Sequence, residues 1–478
     1  MDKNVLFELN ICRLIAWTGA TVALTMHQAE LKLSDSGENL KSVDCLCTRL
    51  RSDQLDLVHF SEQFLEQLST CGNGGSVCCD CGDLLKASFL LSIGRDILAQ
   101  YRGQGYDCGS FCLRVDVPVF TDAQDLLDRC LRSEDGPLDR KLLLKTALVS
   151  FLETELSMRA ADGQAAAGLL IDVLVTDEQD HRRCSALLVG QEALDTVCQR
   201  SAVRKWADGL DANEALIWRR KLALSAADGA ARQYRVELKT STLYLTGRYC
   251  KFSRKLYQSP WFGSGFDSMQ QQLERAVGLM ISADRFKLST AGREDSDVRM
   301  LGRGRPFVLH CFNPKLTRLT DDHATRLQLQ INSSTADFSV SELKLTTEEA
   351  VLEALKKCEE EKLKTYVALC HVVDPHAGTV IDRAKLDTLG SLVDLTIHQW
   401  TPIRVAHRRA VLRRRRLIKW MRAIPSDCPT RFLLTLQAQA GTYIKEFVHG
   451  DWGRTKPSLS DLLGIQLDIV LLDVQSVD

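Results

Sequence analysis

Residues 289–307 constrain this chain more than any other stretch, because they combine charges and glycines that a hydrophobic core does not accept. The stretch reads Ser-Thr-Ala-Gly-Arg-Glu-Asp-Ser-Asp-Val-Arg-Met-Leu-Gly-Arg-Gly-Arg-Pro-Phe. Three acids and four arginines lie between its glycines, and Pro306 and Phe307 open an apolar run that continues to Leu309. This composition indicates a site and not a core.

Each residue type in the stretch suits a site for a chemical reason. Glycine allows a positive φ and a close approach of the backbone to a ligand, and the guanidinium of arginine is a fixed fork of donors suited to phosphate. A carboxylate beside arginines stays ionised and oriented, as a nucleophile or base must be at neutral pH. Asp295, flanked by Arg293 and Arg299, is therefore the candidate, although a solvated charged loop has the same composition.

Length and composition are those of a soluble globular protein with two or three domains. The chain has 478 residues, of which 45% are hydrophobic and 26% charged, and its net charge is −1. Affinity for nucleic acid must therefore come from local patches. Residues 395–425 contain no acid and form one such patch, whose basic residues are Arg404, Arg408, Arg409, Arg413, Arg414, Arg415, Arg416, Lys419 and Arg422.

The cysteines and the N-terminal sequence indicate an intracellular protein. Seventeen cysteines without a compact, regular spacing fit a reducing compartment better than a secreted disulfide scaffold. The most apolar N-terminal run, residues 14–26, is too short to span a bilayer, and the first residues lack the cationic start of a signal peptide. We expect most of the cysteines to be buried thiols.

One pair of cysteines has the spacing of a metal site. Cys78 and Cys81 are arranged as Cys-x-x-Cys, as in a zinc knuckle. A complete site needs two more ligands, and the chain contains no second Cys-x-x-Cys; Cys45, Cys47 and Cys71 are the nearest substitutes. The spacing fits structural zinc and ordinary thiols equally well.

Periodicity divides the chain into three parts, residues 1–83, 84–228 and 233–478. The first is irregular. The second mixes an alternating strand at residues 111–119, a long helix from Ala123 to about Ser157 and a buried strand at residues 169–176. Small residues around position 229 predict a linker. The mixture of strands and helices indicates α+β folds.

Two further segments bear cations. Residues 247–255 alternate basic and aromatic side chains, a mixture that grips phosphates and stacks on bases, although Tyr249 is as well explained as a core residue. Residues 440–448 predict a turn into a helix with a buried face that includes Ile444. Lys445 in its first turn opposes the helix dipole and indicates an anionic partner.

Two helix starts are predicted from capping residues. Ser268 precedes a helical apolar pattern that begins at Met269. Thr346 and Glu349 have the spacing of a capping box, which predicts a helix continuing to about Lys362.

Five segments between Gly247 and Thr455 together resemble the Pus-ten family of tRNA pseudouridine synthases, in the order of that family. They are the basic-aromatic segment, the segment around Asp295, Lys-Thr-Tyr at 364–366, residues 401–409, and Ala-Gly-Thr-Tyr-Ile-Lys-Glu-Phe-Val-His-Gly-Asp-Trp-Gly-Arg-Thr at 440–455. Residues 84–225 are similar only in general pattern.

The resemblance implies a fold and a set of site residues. It implies a pseudouridine synthase fold with a mixed, mainly antiparallel sheet for residues 233–478, preceded by a THUMP-like RNA-binding domain. Asp295 would be the required catalytic aspartate, Lys445 its salt-bridge partner, Tyr366 the stacking aromatic and Ile444 the apolar residue against the target base. The other expected substrate-binding residues are Arg293, Arg299, Tyr249, Lys251, Arg254, Arg404, Arg408 and Arg409.

The implied activity is isomerisation of uridine to pseudouridine in the T-loop of tRNA, at position 54, position 55 or both. The expected partner is tRNA, the expected location is the nucleus, the cytoplasm or both, and the protein is expected to be a monomer. The reaction is expected to need neither an organic cofactor nor a metal. The family's structural zinc site has two Cys-x-x-Cys pairs, of which only Cys78 and Cys81 match here.

Two other functions fit parts of the sequence. A non-catalytic protein that binds structured RNA would use the same basic residues, but it would not need Asp295, Tyr366 and Lys445 together. A THUMP-type RNA methyltransferase would need a glycine-rich loop after a strand to bind its methyl donor, and the sequence contains no such loop. The first alternative is kept and the second is disfavoured.

Overall fold

The computed structural model describes residues 60–71, 81, 83–131, 139–163, 167–178, 180, 183–184, 200–226, 232–260, 267–318, 320–360, 363–373, 381–407 and 409–477. The chain divides into two compact units between Thr240 and Ser241. Cys45, Cys47, Cys78 and Arg408 lie outside the described residues. Among those described, no helix has the length and apolar character that crossing a membrane requires.

The first unit combines helices with a four-stranded sheet in the order β2-β1-β3-β4. Strand β1 runs parallel to β2 and β3, and β4 is antiparallel to β3. Its strands are β1 (Ser110–Asp116), β2 (Arg159–Ala160), β3 (Leu169–Thr176) and β4 (Gln233–Thr240), and its helices α1 (Glu62–Cys71), α2 (Ala87–Gln104), α3 (Val119–Cys130), α4 (Arg140–Leu156), α5 (Arg200–Asp208) and α6 (Ala212–Ala226).

The predicted long helix at residues 123–157 is two helices. Helix α3 ends at Cys130 and α4 begins at Arg140. The carboxylate of Asp139 accepts a hydrogen bond from the backbone N–H of Leu142 at 2.8 Å. Because an aspartate in this position satisfies an N–H that has no partner within the helix, it marks a new helix start.

Strand β4 changes the domain boundary that the sequence predicts. The prediction starts the second domain at residue 233, whereas Gln233–Thr240 pairs along its whole length with β3, from Gln233 opposite Thr176 to Thr240 opposite Leu169. The second unit therefore begins after this strand, at Ser241. A local alternating pattern identifies a strand but does not name its partner.

The second unit is built on one large sheet in the order β13-β10-β11-β12-β9-β14-β7-β5-β8, with β6 paired to β7. Its strands are β5 (Leu243–Lys251), β6 (Arg285–Thr290), β7 (Arg299–Phe312), β8 (Phe338–Thr346), β9 (Leu363–Val372), β10 (Val393–Trp400), β11 (Arg413–Pro425), β12 (Arg431–Gln439), β13 (Thr455–Lys456) and β14 (Leu467–Val477). Neighbouring strands are antiparallel except β14 and β7. The expected α+β class with a mixed, mainly antiparallel sheet is confirmed.

The helices of the second unit cover both faces of this sheet. They are α7 (Met269–Gly278), α8 (Asp321–Ser334), α9 (Ala350–Glu360), α10 (Arg383–Leu389), α11 (Ile444–His449) and α12 (Leu459–Leu463). Because side chains alternate along a strand, Leu245 and Leu309 enter the main core, while Tyr244 and Val308 pack under α9 in a smaller core. Each fully buried leucine stabilises the fold by about 2 kcal/mol.

One of the two predicted helix starts is confirmed. The hydroxyl of Ser268 accepts from the N–H of Gln271 at 3.2 Å, and the Gln271 side chain accepts from the Ser268 N–H at 3.0 Å, which completes a capping box. The capping box predicted at Thr346 is wrong. Thr346 is the last residue of β8, where pairing with Tyr244 keeps it extended, and α9 begins only at Ala350.

Candidate active site

The acids of residues 289–307 lie in the connection between β6 and β7, called here the acidic loop (residues 291–298). Strand β6 ends at Thr290 and β7 begins at Arg299, so residues 291–298 are the connecting loop. The N–H of Val298 donates to the carbonyl of Asp295 at 3.1 Å, which closes a turn around the acids. The remaining residues of the stretch, 299–307, belong to a strand and not to a loop.

Two glycines of the stretch serve the sheet. Gly302 and Gly304 have φ angles of 61° and 73°. A Cβ atom would lie 2.0 Å from the carbonyl oxygen of Gln475 at the first position and 2.5 Å from that of Tyr249 at the second. The predicted role of these glycines, close approach to a ligand, is wrong, because they let β14 and β5 approach β7.

The Asp295 carboxylate lies between two cations and remains accessible. Its Oδ2 atom is 3.0 Å from Nη1 of Arg404 and 3.5 Å from Nζ of Lys445, and 37% of the side chain is exposed. The two cations contact it from two elements of the second unit and orient it. An accessible carboxylate held in this way can act as a nucleophile or as a base.

Lys445 binds a second carboxylate more closely. Its ammonium donates to Oδ2 of Asp297 at 2.7 Å and to Oδ1 at 3.0 Å. Partial burial raises the pKa of Asp297, but the hydrogen bond and charge of Lys445 outweigh it, so the pKa lies below its ordinary value. The anionic partner predicted for Lys445 is thus a pair of aspartates, of which Asp297 is the nearer.

Arg404 is the closest cation to Asp295. It lies in a short 3₁₀ helix, Ile403–Val405, and its Nε donates to Oε1 of the buried Glu446 at 2.6 Å. Burial opposes the charge on this guanidinium, but Glu446 and Asp295 outweigh it and raise the pKa of Arg404. The sequence predicts that Arg404 binds substrate. In the structure its guanidinium bridges the carboxylates of Glu446 and Asp295.

Lys251 supports the acidic loop from inside. Its side chain is buried, with 1% of the residue exposed, and its ammonium donates to the carbonyls of Ser296 at 2.8 Å, Asp295 at 3.1 Å and Leu256 at 3.2 Å. Burial lowers the pKa of Lys251 to about 8, against the opposing charges of nearby acids. Because its three donors are used inside the protein, the predicted contact of Lys251 with RNA is corrected to a structural role.

Tyr249 belongs to a buried polar network. Its hydroxyl donates to Glu294 at 2.9 Å and accepts from Nε2 of Gln258 at 2.7 Å, while Nε of Arg305 donates to the same Glu294 at 2.9 Å. Burial raises the pKa of Tyr249 well above its ordinary value, and the charge of Glu294 adds to this. Of the two roles that the sequence allows for Tyr249, the structure therefore shows the core role. Its partner Glu294 directly precedes Asp295 in the sequence.

Arg254 and Arg299 are both bound to Asp473 on β14. Arg299 donates from Nε and Nη2 at 3.0 and 2.6 Å, and Nη2 of Arg254 donates at 2.5 Å. Burial raises the pKa of Asp473, but the two arginines outweigh it and the pKa is lowered. Nη1 of Arg254 also donates to the carbonyl of Asp297 at 2.9 Å, so the two arginines hold the C-terminal end of the acidic loop to β14. Their expected binding of substrate stays a prediction.

Tyr366 and Ile444 lie in the interior near the loop. Tyr366 is on β9 and is 9% exposed; burial raises its pKa to about 12, with Arg305 opposing and Glu294 adding to the rise. Its hydroxyl has no hydrogen-bond partner within the described part of the chain. Ile444 is the first residue of α11 and packs in the main core, so its predicted contact with a base would require its exposure.

Two predicted substrate-binding arginines point outward. Arg293 is exposed on the acidic loop. Arg409 is exposed as well, and its Nη1 donates to the hydroxyl of Tyr443 at 3.2 Å. Strand β11 continues this basic surface with exposed Arg413 and Arg415.

The metal-binding prediction concerns residues that are mostly not described. Cys81 is buried in the first unit, whereas Cys78 lies outside the described residues. Across the described residues, no group of three or more histidine, cysteine, aspartate or glutamate side chains is arranged to hold a metal ion.

Sequence reasoning missed Glu446 and Asp473. Glu446 directly follows Lys445 in a helix, and its burial could be inferred from its place in the motif with Phe447. Asp473 carries no local signal, because its arginine partners are distant in sequence.

The sequence is similar to those of known proteins. Residues 244–478 match the model of the family described as Pus10, C-terminal. The human tRNA pseudouridine synthase Pus10 is 41% identical over 247 residues, which are 51% of this chain and 45% of the human protein. The putative tRNA pseudouridine synthase Pus10 of Drosophila melanogaster is 30% identical over 425 residues, which are 84% of this chain and 83% of the fly protein.

The likeness extends to archaea. The tRNA pseudouridine synthase Pus10 of Thermoplasma acidophilum is 36% identical over 243 residues, which are 50% of this chain and 59% of the archaeal protein. The chain spans about half the length of the curated vertebrate relatives that it matches. The fly relative, of which the chain covers 83% at 30% identity, shows the family together with the match of residues 244–478 to the family model. The chain belongs to the Pus10 family.

Proposed function

We propose that this chain isomerises uridine to pseudouridine in the T-loop of tRNA, at position 54, position 55 or both. One observation carries the proposal: the accessible carboxylate of Asp295 lies within 3.0 Å of Arg404 and 3.5 Å of Lys445. A protein that only binds RNA gains nothing from an exposed carboxylate, which repels phosphate. The names of the human and archaeal relatives, tRNA pseudouridine synthases, supply the reaction and the class of RNA.

The reaction is a rearrangement within one nucleotide. The bond between C1′ of the ribose and N1 of uracil breaks, the base turns, and a bond forms between C1′ and C5. The proton leaves C5 and N1 gains one, so nothing is oxidised or reduced and no atom is gained overall. Asp295 would attack the nucleotide or remove the C5 proton, and both roles need an ionised carboxylate.

The neighbours of Asp295 would keep it ready for this role. Arg404 and Lys445 orient the carboxylate, and Lys251 holds the backbone carbonyl of Asp295 in place. Tyr366 is the aromatic residue proposed to stack on the released uracil. Its pKa of about 12 keeps its hydroxyl neutral at physiological pH.

Recognition of tRNA would come from surfaces outside this centre. A nucleotide must leave its stack to reach a protein carboxylate, and exposed arginines such as Arg293, Arg409 and Arg413 are suited to hold its phosphates. We propose that the first unit is a THUMP-like RNA-binding domain, and that the protein acts as a monomer in the nucleus, the cytoplasm or both.

Two aspartate variants test the proposal. Asp295→Asn keeps the shape of the side chain but removes its charge, so we expect tRNA binding to remain and pseudouridine formation to fall below detection in position-resolved mapping of a tRNA transcript. Asp297→Asn is the matched control and should still turn over. An inactive Asp297 variant beside an active Asp295 variant would refute the assignment, and an unmodified transcript with the wild-type protein would favour the non-catalytic RNA-binding alternative.

We propose that the isomerisation needs no metal, and that any zinc held by Cys78 and Cys81 has a structural role. Elemental analysis of protein purified without chelator measures the zinc content. Activity that survives chelation would support the proposal, and activity that returns only with added metal would contradict it.

A further inference from the structure

A single tryptophan projects from a tight turn in the second unit. Trp452 is 94% exposed. The turn has four consecutive positive φ angles, 82° at Gly450, 45° at Asp451, 57° at Trp452 and 83° at Gly453. Glycine adopts this region readily, but a non-glycine residue in it is strained. The fold therefore holds a large aromatic side chain in solvent on a strained backbone.

The turn is firmly anchored despite this strain. Three of its four N–H groups are bonded within the turn or to α11. Gly450 donates to the carbonyl of Glu446 at 2.9 Å, and Gly453 donates to that of Gly450 at 3.0 Å. The N–H of Asp451 donates to Nδ1 of His449 at 3.0 Å. Asp451 itself is buried. A rigid turn fixes the position of the exposed ring, which suits a contact with a ligand.

The same turn is connected to the candidate active site. The Asp451 carboxylate accepts from the N–H of Ile403 at 3.3 Å, and the next residue, Arg404, binds Asp295. On the other side, α11 leads from Lys445 to the turn over one short helix, a distance of about 9 Å at 1.5 Å per residue. The turn that bears Trp452 is thus joined to both cations of the candidate site, to Arg404 through Ile403 and to Lys445 through α11.

Other exposed apolar side chains lie on segments that backbone hydrogen bonds connect to the turn and to one another. The backbone N–H of Trp400 donates to the carbonyl of Arg454 at 2.9 Å, and the backbone N–H of Thr401 donates to the carbonyl of Leu412 at 3.0 Å. These bonds bring the three segments together. The Trp452 surface consists of Trp400, Ile403, Val411, Leu412 and Trp452, all more than two-fifths exposed. Exposed Arg409 and Arg413 belong to the same segments.

We propose that Trp452 is a stacking platform for an unpaired base of the tRNA, beside the uridine that reacts. This inference rests on the proposed function. Flat aromatic rings interleaved with arginines bind single-stranded RNA, since every base offers a π face and every nucleotide a phosphate. The positive charge of the neighbouring segments favours this occupant over an acidic or neutral protein partner.

The test measures binding of a tRNA transcript in an Asp295→Asn background, where turnover does not interfere. We expect Trp452→Ala to weaken binding about tenfold and Trp452→Phe to stay within about twofold, because phenylalanine retains a stacking face. Binding should also quench the fluorescence of Trp452, and this quenching should disappear in the phenylalanine variant. Leu279→Ala, which truncates another highly exposed apolar side chain in the same unit, should change nothing.

Unchanged binding by Trp452→Ala, or equal loss in the alanine and phenylalanine variants, would overturn the inference. A size that depends on protein concentration in the wild type and is lost in Trp452→Ala would show that a second copy covers this surface, which would also overturn it. The two failures are distinguishable. If the wild-type protein forms pseudouridine but Trp452→Ala leaves binding unaffected, only this inference is wrong. If Trp452→Ala weakens binding but the wild-type protein forms no pseudouridine, the proposed activity is wrong.

Discussion

Lys445 lies 2.7 Å from Asp297 but 3.5 Å from Asp295, so the lysine of the Thr-Tyr-Ile-Lys segment is bound chiefly to the aspartate that we do not assign to catalysis. Arg404, at 3.0 Å, is the nearer partner of Asp295. Two cations therefore share two carboxylates, and the closer charge on Asp295 comes from the 3₁₀ helix at 403–405 and not, as the sequence indicates, from α11.

This division of roles predicts that Arg404→Met lowers kcat about 100-fold while tRNA affinity changes little, because Asp295 loses its closest oriented partner. The variant also leaves the buried Glu446 without its cation, at a cost of about 3 kcal/mol. Adding Glu446→Gln should restore thermal stability but not turnover. Retained kcat with weakened tRNA binding would instead support the phosphate-binding role that the sequence suggests.

Lys251→Met should destabilise the second unit by about 3 kcal/mol, because three buried carbonyls lose a charged donor. The measurement is urea unfolding followed by a probe in that unit. Lys255→Met, an exposed lysine of the same segment, is the control and should stay within about 0.5 kcal/mol of wild type. If Lys251→Met keeps its stability and loses only tRNA affinity, the structural role is wrong.

The burial of Lys251 shows how far the sequence could lead. In strand β5 the buried positions include Leu243, Leu245, Tyr249 and Lys251, which follow a period of two. That alternation is visible in the sequence and already places the tyrosine and the lysine on the inner face. The density of cations and aromatics around them has the same composition as an RNA-binding loop, so composition and periodicity disagree, and periodicity predicts the result.

Other parts of the fold depend on partners that are distant along the chain. Strand β3 has the bounds that its apolar run predicts, 169–176, but its pairing with β4 is a long-range contact. The same holds for the site. The sequence around Arg404 does not indicate that this residue pairs with Asp295. The two meet only because the fold places the 3₁₀ helix at 403–405 against the loop after β6. Motif order identifies which residues converge but not which pairs form.

We expect Asp473→Asn to destabilise the protein by an amount that depends on pH. The folded pKa of Asp473 lies below the ordinary value of 3.8, so its contribution is present above that pH and is lost as pH falls through the folded pKa. We expect the variant to be less stable by about 2 kcal/mol at pH 7, from lost hydrogen bonds to two arginines. Urea unfolding between pH 7 and pH 3 should show this difference shrinking below pH 3.8. A constant difference would mean that the ionised carboxylate contributes nothing.

The last prediction concerns the basic strand β11. Arg413 and Arg415 are exposed on the same side of the strand, since they are two residues apart. If both contact phosphates, replacing them with alanine should weaken tRNA binding. It should also reduce the magnitude of the slope of log affinity against log salt concentration by about 1.5.

Arg326→Ala is the control for this double variant, because Arg326 is an exposed arginine on helix α8 that pairs with Asp322 one helical turn away. It removes positive charge from the same unit without touching the basic strand. An equal effect of both changes on the slope would show that overall charge and not contact governs binding. A slope that stays the same in the Arg413 and Arg415 variant, with affinity reduced, would mean that the two arginines act through packing or through a protein partner.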